Sequence, residues 1–147
     1  MGDTTNVQVY IYACPDDQRA AMLEILEYHR LSPDWYGPTG DTLELGQAYG
    51  SNYAAGDESE EIAAEIIEAA PGAVFQAWTD PAYEWLGSGV MYTPELGRFG
   101  YESDSNGEPQ FGQAAVLDAI ASGDVEKAIG VPWRDAMIRA AKELKKP

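Results

Sequence analysis

The chain has 147 residues, 25 acidic and nine basic, for a formal net charge of −16, with 45% apolar and 11% aromatic residues. That is enough apolar content to fold one domain, residues 1–147, without disulfides or metal, and too little length for two ordinary domains. So negative a chain is a poor ligand for nucleic acid or an anionic membrane surface; with one Cys and one His it has no disulfide and no Cys- or His-based metal centre of its own.

Met1–Asn6 is polar and lacks a basic leader, and no apolar run approaches a membrane span, so the reading at this level is a cytoplasmic protein. Val7, Val9, Ile11 and Ala13 alternate with Gln8, Tyr10, Tyr12 and Cys14, which predicts a strand. Pro15, Asp16 and Asp17 then open a predicted helix to about Arg30, with Met22, Leu23, Ile25, Leu26 and Tyr28 as its apolar face. Residues 32–41 hold two prolines and two glycines and predict a loop.

Thr42–Tyr49 reads as the second strand, followed by a linker to Gly56. Asp57, Glu58, Ser59 and Glu60 supply capping chemistry for a second helix, whose apolar stripe is Ile62, Ala63, Ile66 and Ile67 and whose stop is Pro71-Gly72. Ala73–Thr79, Tyr83–Tyr92 with an interruption at Gly87–Gly89, and Arg98–Glu102 predict three more strands, with a turn at Thr93–Gly97 and a hairpin tip at Asn106-Gly107. Gln113–Ala121 predicts a helix with Val116, Leu117 and Ile120 on one side, and Asp124 caps a short turn to Ile129. Pro132 opens the last helix, in which Trp133, Met137, Ala140 and Leu144 form a core-facing stripe. The order implies an α+β fold: a mostly antiparallel sheet with helices packed on one face, and a start compatible with a ferredoxin-like βαβ unit.

Catalytic signatures are sparse. Cys14 and His29 lie at opposite ends of the first predicted helix, on the order of 20 Å apart, too far to act as a nucleophile and base. Cys14 therefore reads as a buried or capping residue and His29 as a surface or capping one. Gly87-Ser88-Gly89 does not precede a helix, so it is not a phosphate loop. Residues 102–108 carry oxygen ligands and a glycine but lack a complete calcium loop, and read as a hairpin turn. Carboxylate pairs abound, yet none stands out as an acid–base pair, so the expectation is a non-enzymatic protein without a cofactor.

The charge layout is more informative. Residues 1–126 hold 23 acidic groups against three basic ones, net −20; residues 127–147 hold six basic against two acidic, net +4. Residues 131–147 are thus a basic C-terminal helix on an acidic body. In the second helix Glu58, Glu61, Glu65 and Glu68 recur at i, i+3, i+7 and i+10, one face of like charges without a relieving Lys. Glu24, Glu27 and Glu60 are secondary members. Their rise of roughly 4.5–6 Å is of the order of phosphate spacing along DNA. In size and charge the chain resembles the small acidic DNA mimics of phages and plasmids that block restriction or CRISPR enzymes. The resemblance implies an inhibitor whose partner is a basic nucleic-acid-binding protein, met without direct nucleic-acid or membrane contact, and is compatible with a homodimer. The alternative is an interaction module using an aromatic patch around Trp35, Tyr83 and Trp85, its acidity serving solubility or high-salt adaptation.

Overall fold

The structure is a computed structural model, which describes residues 5–55, 57–82 and 86–146. A six-stranded sheet of order β2-β1-β3-β4-β5-β6 forms its centre, with every neighbouring pair antiparallel. The strands are β1 (Thr5–Ala13), β2 (Ala48–Ala54), β3 (Val74–Thr79), β4 (Gly87–Thr93), β5 (Gly97–Ser103) and β6 (Pro109–Gln110). The helices are α1 (Arg19–Tyr28), α2 (Glu58–Ala69), α3 (Gln113–Ala121), α4 (Val125–Ala128) and α5 (Val131–Leu144), with a single 3-10 turn at Asp16–Gln18 before α1.

Strand alternation sorts the side chains into two layers. Val7, Val9 and Ile11 of β1 face the same way as Phe75 and Ala77 of β3 and Val90 and Tyr92 of β4. Against them lie Met22 and Leu26 of α1 and Ile62, Ala63 and Ile66 of α2, all fully buried. Burying each large aliphatic among these contributes about 1.5–3 kcal/mol, so this layer is the main source of stability. The opposite face carries Met91, Phe99 and Tyr101, covered by Trp133 and Met137 of α5. The Trp133 indole stacks on Phe99 with ring centroids 5.1 Å apart and donates through Nε1 to the Gly97 carbonyl at 2.9 Å. Gln76 Nε2 on this face donates to the Tyr101 hydroxyl at 2.7 Å and to the Gly107 carbonyl at 2.8 Å, pinning the 104–108 loop over the sheet.

The α+β class and the antiparallel sheet are as the sequence implied, but the details differ in three ways. Helices cover both faces, α1 and α2 on one and α5 on the other, rather than one face alone. The start is not a ferredoxin-like unit: β2 returns antiparallel beside β1, because residues 29–47 reverse the chain after α1. The second strand begins at Ala48, six residues later than Thr42. Leu43 is buried as a loop residue, while Tyr49 to Ala54, poor in β-branched residues, take the ladder positions opposite β1. Pairing with an existing strand here outweighs intrinsic propensity.

One smaller expectation also changes. Asp57 stands at the α2 N-cap, but among the described residues its side chain caps nothing; Ser59 instead is buried and its Oγ lies 3.0 Å from the Ser88 carbonyl of β4, tying α2 to the sheet. In α3 the buried residue is Ala119, whereas Val116, Leu117 and Ile120 are 38%, 58% and 61% exposed. Residues 102–108 do form a hairpin loop, with Asp104 Oδ1 accepting from the backbone amides of Asn106 and Glu108 at 2.8 and 3.0 Å. Among the described residues, no helix is long and apolar enough to cross a membrane.

Candidate protein-binding face

The outer surface of the α1–α2 layer carries the predicted acidic residues. Glu24 and Glu27 are exposed on α1, and Glu60, Glu61 and Glu68 are exposed on α2. Glu58 and Glu65 differ. They turn toward His29, which follows α1 and is 6% exposed in its side chain. His29 Nε2 lies 2.9 Å from Glu65 Oε2, and Nδ1 lies 3.7 Å from Glu58 Oε2. The Glu58 and Glu65 side chains are correspondingly only 21% and 37% exposed. His29 is thus not a surface residue but a bridge between the two helices. Sequence spacing places Glu58 and Glu65 on one face of α2; that an imidazole from another helix would occupy the gap between them is a tertiary contact without a local signature.

Two depressions join the acidic residues of the two helices. A shallow groove of about 440 Å³ is lined by Glu24, Ile25, Glu27, Tyr28 and Glu65. A wider cleft of about 1180 Å³ has Glu27, Glu58, Glu61 and Asp41 on its walls. Glu27 and Tyr28 border both, so one continuous acidic surface runs from Glu24 to Glu61 and Asp41. Glu60 and Glu68 lie on α2 outside both depressions.

The far wall of the cleft is the segment between α1 and β2, and its conformation is fixed by local bonds. α1 ends in a Schellman motif, in which the Leu31 amide donates to the Leu26 carbonyl at 2.8 Å and the Arg30 amide to the Glu27 carbonyl at 3.0 Å. That motif places a residue in the left-handed region, and here it is Arg30, at φ 58°, rather than glycine. Trp35 is also left-handed, at φ 71°, and its half-buried indole rests on Gly50 of β2, where an added Cβ would strike the ring. Asp34 Oδ1 accepts from the Gly37 amide at 2.7 Å, the Tyr36 amide at 3.3 Å and the Ser32 hydroxyl at 3.2 Å. The Gly37 amide above all holds the Asp34 carboxyl below its ordinary pKa. Ser32 and Gly50 exchange backbone hydrogen bonds at 3.2 and 2.9 Å, so the segment is clipped to the sheet edge.

Aromatic residues divide between packing and surface. Tyr49, Trp78 and Tyr92 are buried, whereas Tyr28, Tyr36 and Tyr53 are 77%, 81% and 80% exposed, and all three line the wide cleft. Tyr83 and Trp85, two of the three residues expected to centre an aromatic patch, lie outside the described residues. The third, Trp35, borders the cleft but is committed to Gly50. Sequence reading places Tyr28 on the apolar face of its helix; it points outward because, at 3.6 residues per turn, it lies roughly 200° around the helix from the buried Leu26.

The basic end of the chain lies on the other side of the sheet. Arg134 pairs in bidentate fashion with Glu108 at 2.9 and 3.0 Å, while Arg139, Lys142, Lys145 and Lys146 are exposed. The sheet therefore separates an acidic surface from a basic helix. Cys14 is buried, and burial pushes its thiol pKa up, the opposite of what an activated nucleophile needs. Comparison with protein-family models, with curated proteins and with solved structures yields no match.

Proposed function

We propose that this protein is a non-enzymatic acidic inhibitor that occupies the nucleic-acid groove of a basic nucleic-acid-handling protein, of the restriction or CRISPR type, in phage or plasmid counter-defence. The observation that carries this reading is the continuity of the acidic surface from α1 to α2, with Glu27 shared by both depressions. The outward carboxylates of Glu24, Glu27, Glu60, Glu61 and Glu68 on two adjacent helices offer a basic groove a concentration of negative charge in place of phosphates. Such a surface steers a positive partner to a fast, salt-sensitive encounter. The segregation of Arg139, Lys142, Lys145 and Lys146 to the far side of the sheet leaves Arg30 facing four carboxylates in the wide cleft, so the acidic face keeps its net negative charge. We place the encounter in the cytoplasm, where the partner would handle nucleic acid.

The test is a pull-down with the tagged protein, eluted in steps of rising salt, followed by competition with duplex DNA. A restriction or CRISPR component that elutes as salt rises and is displaced by DNA supports the proposal. Partners indifferent to salt, or binding that DNA leaves untouched, would contradict it. The exposed tyrosines favour a second element in the same contact, an aromatic one, which extends rather than replaces the electrostatic reading.

A further inference from the structure

We infer that the wide cleft between the α1 end, the 32–41 segment and the edge of β2 is an arginine-receiving site, seating arginine side chains from a basic segment of the partner. The inference rests on the inhibitor reading above and names where and how the partner is gripped. Three tyrosines, Tyr28, Tyr36 and Tyr53, stand about four-fifths exposed around one concavity. Interspersed with them are the carboxylates of Glu27, Glu61 and Asp41. Exposed tyrosine rings clustered in a concavity are a signature of binding surfaces rather than of folding, because a ring left in water contributes little to the core.

The chemistry selects the occupant. Four carboxylates line the cleft, counting Glu58, against Arg30 as the fixed cation, so an anionic ligand is disfavoured. A guanidinium satisfies both kinds of wall: it stacks its plane on a phenol ring and offers paired N–H donors to a carboxylate. An ammonium is a point charge that gains less from either, so arginine is preferred over lysine. A volume of about 1180 Å³ exceeds what one side chain fills and suits several residues of an extended segment. The walls are also ordered before binding. The Schellman motif sets the Tyr28 backbone and the Asp34 turn that of Tyr36, while Tyr53 sits at the irregularity between the Thr5–Ala54 and Val7–Ser51 pairs, its amide donating to Ser51 Oγ at 3.3 Å. A backbone fixed in advance avoids the cost of ordering these segments on association.

The test uses the full chain and two probes, a hexa-arginine and a hexa-lysine peptide, titrated by NMR at fixed ionic strength. The arginine peptide binds about ten-fold tighter than the lysine peptide and shifts the ring resonances of the cleft tyrosines. Tyr36→Ala and Tyr53→Ala each weaken the arginine peptide about three-fold while leaving the thermal melt unchanged, since both rings are exposed. Arg30→Gly, which removes the competing cation, tightens it. Equal affinity for both peptides, or tyrosine variants that bind like the wild type, would overturn the inference. It would leave the inhibitor proposal intact if lysine substitutions on the acidic face still abolish partner capture. Arginine-selective binding at the tyrosines, with partner capture indifferent to those substitutions, would instead remove the inhibitor proposal and retain the cleft.

Discussion

His29→Ala is the most informative single perturbation of the acidic face. The imidazole is 6% exposed and contacts Glu65 at 2.9 Å and Glu58 at 3.7 Å. Its removal leaves two half-buried carboxylates facing a gap, with no partner to offset their mutual repulsion. A hydrogen bond to a charged group is worth about 1.5–3 kcal/mol when shielded. Glu65 is 37% exposed, so solvent screening lowers its share to about 1 kcal/mol. Lost packing of the ring between α1 and α2 brings the total to about 2 kcal/mol. For a domain of this size the urea midpoint should fall by about 1 M. A double-mutant cycle of His29→Ala with Glu65→Gln should return a coupling of about 1 kcal/mol, and the cycle with Glu58→Gln a smaller one. A coupling below about 0.3 kcal/mol with Glu65 would refute the bridge, and with it the account of why Glu58 and Glu65 turn inward.

Three further outcomes follow from the geometry. Trp133→Ala should cost about 3–5 kcal/mol by thermal or urea unfolding, because it leaves a cavity beside Phe99 and Met137 and removes the bond to the Gly97 carbonyl; a loss under 1 kcal/mol would mean that α5 is not needed to cover that face. Arg30→Gly should stabilise the fold by roughly 0.5 kcal/mol, since glycine accepts the left-handed C-terminal position of α1 without the side-chain penalty; destabilisation would show that the Arg30 side chain holds the segment. The Asp34 carboxyl has a lowered pKa in the folded state, so its contribution is fully present above the ordinary aspartate pKa and is lost as pH falls through the lower, folded value. The protection of the Gly37 amide, taken relative to its intrinsic exchange rate at each pH, should fall in that acid window and stay constant between pH 5 and 8; Asp34→Asn should shrink the pH response.

What was legible in the sequence was what local periodicity encodes. Alternation over Val7–Ala13 identified β1, and the i, i+4 spacing of Trp133 and Met137 identified the buried side of α5. The Gly and Pro punctuation located the turns at 93–97 and 104–108. Failures occurred where a distant element decides. β2 is a strand because β1 offers an edge to residues 48–54, not because Ala-Tyr-Gly-Ser-Asn-Tyr-Ala favours one. The apolar side of α3 is plain in the sequence but what it meets is not: the helix packs on α4, leaving Leu117 and Ile120 outward. The spacing of Glu58, Glu61, Glu65 and Glu68 placed them on one helical face, but His29 divides that row into inward and outward members. The cleft was not legible at all: Tyr28, Tyr36 and Tyr53 come from three segments that only the folded chain assembles.

The central claim is that the outward carboxylates of α1 and α2 form a surface that competes with DNA for a basic partner. Its most direct test is the salt-stepped pull-down repeated with a variant carrying Glu24→Lys, Glu27→Lys, Glu61→Lys and Glu68→Lys. All four positions are exposed, so the variant should fold as the wild type does by circular dichroism. The account predicts that the wild type captures a nucleic-acid-handling protein that duplex DNA displaces, and that the folded variant captures none. Equal capture by the two proteins would contradict it.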